Sequence, residues 1–184
     1  VSLLYLLPEV TLIATARGDN RDEIYEDYIY ESMDITSEAN VLAVFRKYKP
    51  DAVIHTAAMT NVDQCELNKE TCVDQNITAV QHIVKACKEV GAFLVHVSTD
   101  FIFDGTHSPL TEEETPKPVN YYGWTKWEAE KAVETSGLKW AIARTVLVYG
   151  VLQDMSRSNI VLWEKNNLEQ KKQINVVNDQ WRTP

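Results

Sequence analysis

Glycine is scarce in this chain: six residues in 184, none close to another. No glycine-rich turn of the kind that cradles a phosphate is therefore present. Cysteine is also rare. Cys65, Cys72 and Cys87 are an odd number without Cys-x-x-Cys spacing or paired histidines nearby, which excludes a disulfide framework and a zinc site. That usage fits a reducing cytoplasm. No apolar run approaches the roughly 18 residues of a membrane span. The apolar opening Val1 to Leu7 has no basic region before it and no small-residue cleavage site after it, so it reads as the end of a buried helix. Basic residues are outnumbered, 18 against 27 acidic, for a formal net charge of -9. Such a chain repels nucleic acid and anionic membrane surfaces, so neither is expected as a partner.

What is present is enough apolar residue to fill a core, 45% of the chain. Short apolar runs alternate with helical stretches, the pattern of a parallel sheet wrapped by helices. Strands are expected at Thr11–Thr15, Tyr30–Ile35, Ala52–Thr56, Ala92–Ser98 and Trp140–Arg144. Thr36 or Ser37 caps a helix over Glu38–Tyr48, which Pro50 closes. A long helix is expected over Cys72–Val90, with Gly91 as its left-handed stop. Asp104-Gly105 marks a turn, and three prolines with three successive glutamates make 108–119 a surface loop. Another helix runs over Tyr121–Ser136 and stops at Gly137. Beyond Gly150 the alternation weakens, with a helix expected over Ser158–Asn166 and a short strand over Ile174–Val177. The fold class is α/β, a doubly wound parallel sheet of the Rossmann kind. Residues 1–150 are the dinucleotide-binding domain, and 151–184 begin a smaller substrate-binding region. Such sheets bind ligands at the carboxyl ends of their strands. A dinucleotide fold normally opens with a strand and a glycine turn, and this chain shows neither. Either the fold is another one, or that first strand and its turn precede Val1. The chemistry-bearing residues favour the second alternative.

Tyr122 and Lys126 lie four apart on one helix face. A nearby ammonium favours the phenolate and should lower the phenol from its usual value of about 10. Such a tyrosine can protonate a carbonyl oxygen as hydride reaches the carbon. Val97-Ser98-Thr99-Asp100 places hydroxyls at the end of a buried strand, where Thr99 can bond the same carbonyl. His55-Thr56-Ala57-Ala58-Met59-Thr60 ends another strand with small residues that admit a flat cofactor. His55 and His96 read as buried packing residues. Arg144 ends a further strand, where it serves equally well as an ion-pair partner. Arg17 follows the strand Thr11–Thr15, where a guanidinium can bind a ribose 2'-phosphate.

Four stretches together resemble the extended short-chain dehydrogenase/reductases, specifically the dTDP-4-dehydrorhamnose reductase family. They are Thr56-Ala57-Ala58, Ser98 to Gly105, Tyr122 to Lys126 and Arg144 to Gly150, in that order, with Asp179-Gln180-Trp181-Arg182-Thr183-Pro184 closing the chain. The resemblance implies reduction of the C4 ketone of dTDP-4-dehydro-6-deoxy-L-mannose to dTDP-L-rhamnose, with NADPH or NADH as cofactor. It implies Tyr122 as proton donor, Lys126 tuning it and contacting the nicotinamide ribose, and Thr99 polarising the ketone. Asp34 and Ile35 match the segment at adenine. Ala57, Ala58 and Met59 match the strand end along the cofactor, with Ser98 beside it. Thr60, Val62 and Arg182 match positions on the substrate side. Arg17 tips the cofactor toward NADPH.

Where the family often has Trp in the strand after Arg144-Thr145, this chain has Leu147, so the sugar is less firmly implied than the reaction. Some members hold magnesium at a dimer contact. That makes a homodimer and a magnesium ion conceivable here, although no cluster of ligands in the sequence calls for a metal. Two alternatives share the scaffold. One is a nucleotide-sugar epimerase or dehydratase, but no Glu follows Thr99 to support the latter. The other is a non-catalytic regulatory subunit resembling that of methionine adenosyltransferase. The natural protein is expected to continue beyond both ends, leaving a strand edge open at the sheet centre.

Overall fold

The computed structural model describes residues 9–20, 28–146, 148 and 160–175. The expected helix at Val1–Leu7, the segment Tyr149-Gly150, Leu147 and the closing stretch 179–184 lie outside them. The chain separates into two compact units, 1–143 and 144–184.

In the first unit, β1 (Ile13–Ala16) pairs in parallel with β2 (Ile29–Ser32), Ile13 opposite Ile29. The sequence favours continuing β2 to Ile35, but the ladder stops earlier for a local reason. Asp34 accepts from both the backbone N–H and the hydroxyl of Thr36, and its own N–H donates to Asn40 Oδ1. This Asx turn removes the backbone from the ladder and leads into helix α1 (Glu38–Tyr48). Ser37 caps α1 by accepting from Asn40 N, as expected.

A second sheet holds β3 (Ala52–His55), β4 (Phe93–Thr99) and β5 (Trp140–Thr145), in the order β3-β4-β5. β3 and β4 are parallel, with His55 opposite His96. Among the described residues no strand pairs with the other edge of β3.

Between β3 and β4 the chain departs from the single long helix that the sequence suggests. Asn61 caps a short α2 (Val62–Leu67), accepting from Gln64 N. Asn68 breaks the helix, and α3 (Lys69–Val73) follows. A π turn over Asp74–Thr78 then leads into α4 (Ala79–Val90). Gly91 ends α4 at φ 76, and its N–H reaches Cys87 O at 2.8 Å. Only glycine takes that left-handed conformation without strain.

The core follows from the periodicity. Val80, Ile83, Val84 and Cys87 recur on one face of α4, and Val41, Leu42, Val44 and Phe45 face them from α1. α5 (Tyr121–Glu134) adds Ala129 and Val133 to the same cluster, with Leu94 and Val53 from the strands. Each fully buried aliphatic side chain contributes about 1.5–3 kcal/mol. Arg46 and Glu89 bridge the surfaces of α1 and α4 at 2.5 and 2.9 Å, but both are exposed and add little. Val53 and His55 face the helices, while Ile54 between them is 50% exposed.

In the second unit, the described residues include α6 (Ile160–Glu169). Its end is three residues later than expected, while the expected start at Ser158 and the expected strand residues Val176 and Val177 lie outside the described residues. Ile174 and Asn175 are not in a strand. No helix among the described residues is long and apolar enough to cross a membrane.

Candidate active site

The site is built where β4 ends. Ser98 and Thr99 are both buried at that end. Thr99 caps a 3-10 turn (Asp100–Ile102): its hydroxyl accepts from Phe101 N at 3.2 Å and donates to Asp100 Oδ1 at 3.1 Å. Asn120 caps α5 by accepting from Gly123 N, which sets Tyr122 in the first turn. The Thr99 hydroxyl lies close enough to Tyr122 to act on its phenol. The phenol ring meets Phe101 edge-on, with centroids 5.8 Å apart.

Gly123 makes this closeness possible. A Cβ there would lie 2.1 Å from the Phe101 carbonyl oxygen and 2.9 Å from its carbon. The absence of a side chain lets the 3-10 turn that follows Thr99 rest directly on α5 beside Tyr122.

Lys126 is buried one turn along α5. Its ammonium donates to Val97 O at 2.8 Å and lies 3.4 Å from His96 Nε2. The sequence predicts that this ammonium lowers the phenol's pKa, and the structure corrects that. Burial raises Tyr122, with the nearby Thr99 hydroxyl opposing. Burial also lowers Lys126 to about 8, against the charge of Glu130, one turn further on. The physical reason is that the described bonds of the lysine run to the strand, and desolvation outweighs the local charges.

His55 and His96 are both buried, as expected, and their rings stack with centroids 5.6 Å apart. Burial keeps both imidazoles neutral, His55 at about 4 and His96 at about 2.

A polar cluster that the sequence did not reveal joins the β3 end to α5. Asn76, in the π turn, accepts from Met59 N at 2.7 Å and donates to Met59 O at 3.0 Å and to Thr125 Oγ1 at 3.0 Å. The Cys65 and Cys72 thiols touch beside it, and burial raises Cys65 to about 12. An asparagine within an apolar helical stretch was the one signal for this cluster. Met59 and Val62 pack against the cluster that Cys65, Cys72 and Tyr122 form.

Thr56 and Ala57 are exposed at the end of β3, Ala58 is half-buried, and Thr60 is exposed. Arg17 is exposed just after β1, and its charge acts on Asp34. Thr36 and then Arg17 hold the Asp34 carboxyl below its ordinary range. The Ile35 carbonyl contacts His82 Nδ1 at 3.0 Å. Arg182 lies outside the described residues. No cluster of three potential metal ligands occurs among the described residues.

Known proteins share both sequence and fold with this chain. A Xenopus laevis methionine adenosyltransferase 2 subunit beta is 35% identical over 143 residues, 77% of this chain and 43% of that protein. A dTDP-4-dehydrorhamnose reductase of Salmonella typhimurium is 35% identical over 153 residues, 82% of this chain and 50% of that protein. The chain thus spans about half the length of the curated relatives it matches. A dTDP-4-dehydrorhamnose reductase from Bacillus anthracis, solved in complex with NADP, superposes with a TM-score of 0.73 at 28% identity, over 88% of this chain and 61% of that one. The fold is accordingly Rossmann-like. The profile of the RmlD substrate binding domain matches residues 9–184, and the chain belongs to that family.

Proposed function

We propose that this chain forms the cofactor-binding and proton-donating part of an NAD(P)H-dependent reductase acting on a nucleotide-linked 4-keto sugar. The substrate is dTDP-4-dehydro-6-deoxy-L-mannose and the product dTDP-L-rhamnose. Residues 1–150 bind the dinucleotide, and the region from 151 onward contributes to the sugar site. The observation that carries this reading is the placement of Thr99 beside Tyr122 at the carboxyl end of β4, with Lys126 buried one turn away.

The residues fit a nicotinamide dinucleotide. The strand ends carry the exposed cation Arg17, the pair Asp34 and Ile35, and the small residues Ala57 and Ala58 ahead of Met59, which suit the parts of such a cofactor. Arg17 suits a 2'-phosphate, which favours NADPH, and the Bacillus anthracis relative was solved with NADP. When bound, the cofactor supplies hydride to the carbonyl carbon. Tyr122 gives the carbonyl oxygen its proton, and burial keeps the phenol protonated at neutral pH, as a donor must be. Thr99 shares that oxygen through its hydroxyl and polarises the carbonyl. Ser98 and Lys126 serve the nicotinamide side. Met59 and Val62 form an apolar wall, and Thr60 and Arg182 serve the sugar. The composition fits work in the cytoplasm.

The likeness to methionine adenosyltransferase 2 subunit beta favours one other reading, a binding subunit without turnover. Titration of NADPH into the full-length protein, followed by addition of the keto sugar nucleotide, separates the two. Binding followed by cofactor oxidation supports the reductase, whereas binding without oxidation supports the subunit.

A further inference from the structure

Two buried imidazoles in one sheet need an explanation. His55 and His96 sit opposite each other on β3 and β4. Neither His55 Nε2 nor His96 Nδ1 has a hydrogen-bond partner among the described residues. A buried polar atom without a partner costs stability that a leucine at the same place would not. The one polar contact of His96 given among the described residues is to Lys126, on the facing helix, at 3.4 Å. The same ammonium donates to Val97 O at 2.8 Å. An ammonium has three N–H groups. Two acceptors on β4 therefore fix its place and leave one N–H for a ligand.

We propose that His96 is a positioning residue for Lys126: its neutral ring, stacked on His55, accepts at Nε2 and holds the ammonium at the strand end that carries Thr99. This deepens the reductase reading, and rests on it only for what the lysine then does. The charge on Lys126 confines the ring to one tautomer, with the proton on Nδ1 and the lone pair on Nε2. Protonating His96 would set two cations in contact, and burial with the Lys126 charge opposes that. Glu130 on α5 acts on the lysine, and the lysine charge in turn acts on His96 on β4 and His55 on β3. Cys65, Cys72 and Asp100 act on Tyr122 instead. Removing the acceptor destabilises the charged form of the lysine, so its pKa falls further below about 8.

Nitrogen NMR of the full-length protein, labelled in histidine and lysine, tests this without substrate or cofactor. His96 is expected to show an unprotonated Nε2 and a protonated Nδ1 throughout roughly pH 5 to 8. Lys126 is expected to titrate near 8. In His96→Leu that titration falls by about one unit, the worth of a hydrogen bond to a charged group. His96→Gln, whose amide oxygen reaches the same position, restores it. In turnover assays the alkaline limb of the pH profile moves with the lysine. A proton found on Nε2 overturns the proposal, as does a Lys126 titration unchanged in a folded His96→Leu protein. If the leucine variant does not fold, the wild-type tautomer and the glutamine variant still decide. A wild type without turnover would sink the reductase reading while leaving the NMR result for His96 intact.

Discussion

Gly123→Ala is the substitution most directly set by the geometry. On an ordinary helix the change would stabilise the protein by about 1 kcal/mol through backbone propensity. Here the new Cβ would sit 2.1 Å from Phe101 O, 2.9 Å from Phe101 C and 3.2 Å from Pro118 Cβ. The obstacle is backbone, not the end of a flexible side chain. The 3-10 turn would have to withdraw by about 1 Å, which close-packed interiors resist. Its freedom is limited, since Phe103 N bonds Asp100 O and Lys117 N bonds Ile102 O. Overpacking of this kind costs about 1–3 kcal/mol, and a rigid neighbour places it at the upper end. The net loss is about 2 kcal/mol, or roughly 4–8 °C in Tm for a chain of this size. Urea denaturation of both proteins measures it. Withdrawal of the turn also parts Thr99 from Tyr122, so catalytic rate should fall by more than the folded fraction does. An alanine variant as stable as wild type, or more stable, would refute the claim that Phe101 rests on Gly123.

Two further outcomes follow from buried groups. Asn76→Ala leaves the Met59 N–H without its side-chain acceptor and removes the amide donor from Met59 O and Thr125 Oγ1, which as acceptors keep only the weaker contacts to the Cys65 and Cys72 thiols. Equilibrium unfolding should show a loss of about 2–3 kcal/mol, the cost of stranding buried polar groups. Lys126→Met should stabilise the protein at neutral pH while abolishing turnover, because the folded state holds a desolvated ammonium. The folded pKa is about 8 against 10.5 for the free side chain. Between those values the unfolded chain binds the proton and the folded one does not, so stability rises with pH. The burial penalty is fully present below pH 8 and disappears toward pH 10.5. The advantage of methionine should therefore be a few kcal/mol at pH 7 and should vanish on the alkaline side of that window. An advantage that does not change with pH would contradict it.

Much of the fold could be read from local patterns because local forces set it. Helix α1 begins and ends where Ser37 and Pro50 indicated, and Gly91 and Gly137 take the left-handed conformation expected of helix stops. The region 62–78 could not be read this way. Its break at Asn68 and its π turn serve a tertiary purpose, carrying Asn76 to Met59 and Thr125, which are distant in sequence. The end of β2 was missed because an Asx turn at Asp34 competed with the ladder. At the site, the spacing of Tyr122 and Lys126 correctly put both on one helix, but spacing is blind to depth. Burial turned the expected pKa effect around and gave the lysine partners on β4.

The central claim is that Tyr122, beside Thr99, is the proton donor of a sugar-nucleotide reduction. The most direct test is NADPH oxidation by the full-length protein with dTDP-4-dehydro-6-deoxy-L-mannose, comparing wild type with Tyr122→Phe at matched cofactor saturation. The account predicts turnover in the wild type and a fall of about 10²–10⁴-fold in the variant, with cofactor binding retained. A phenylalanine variant that turns over like wild type would contradict it.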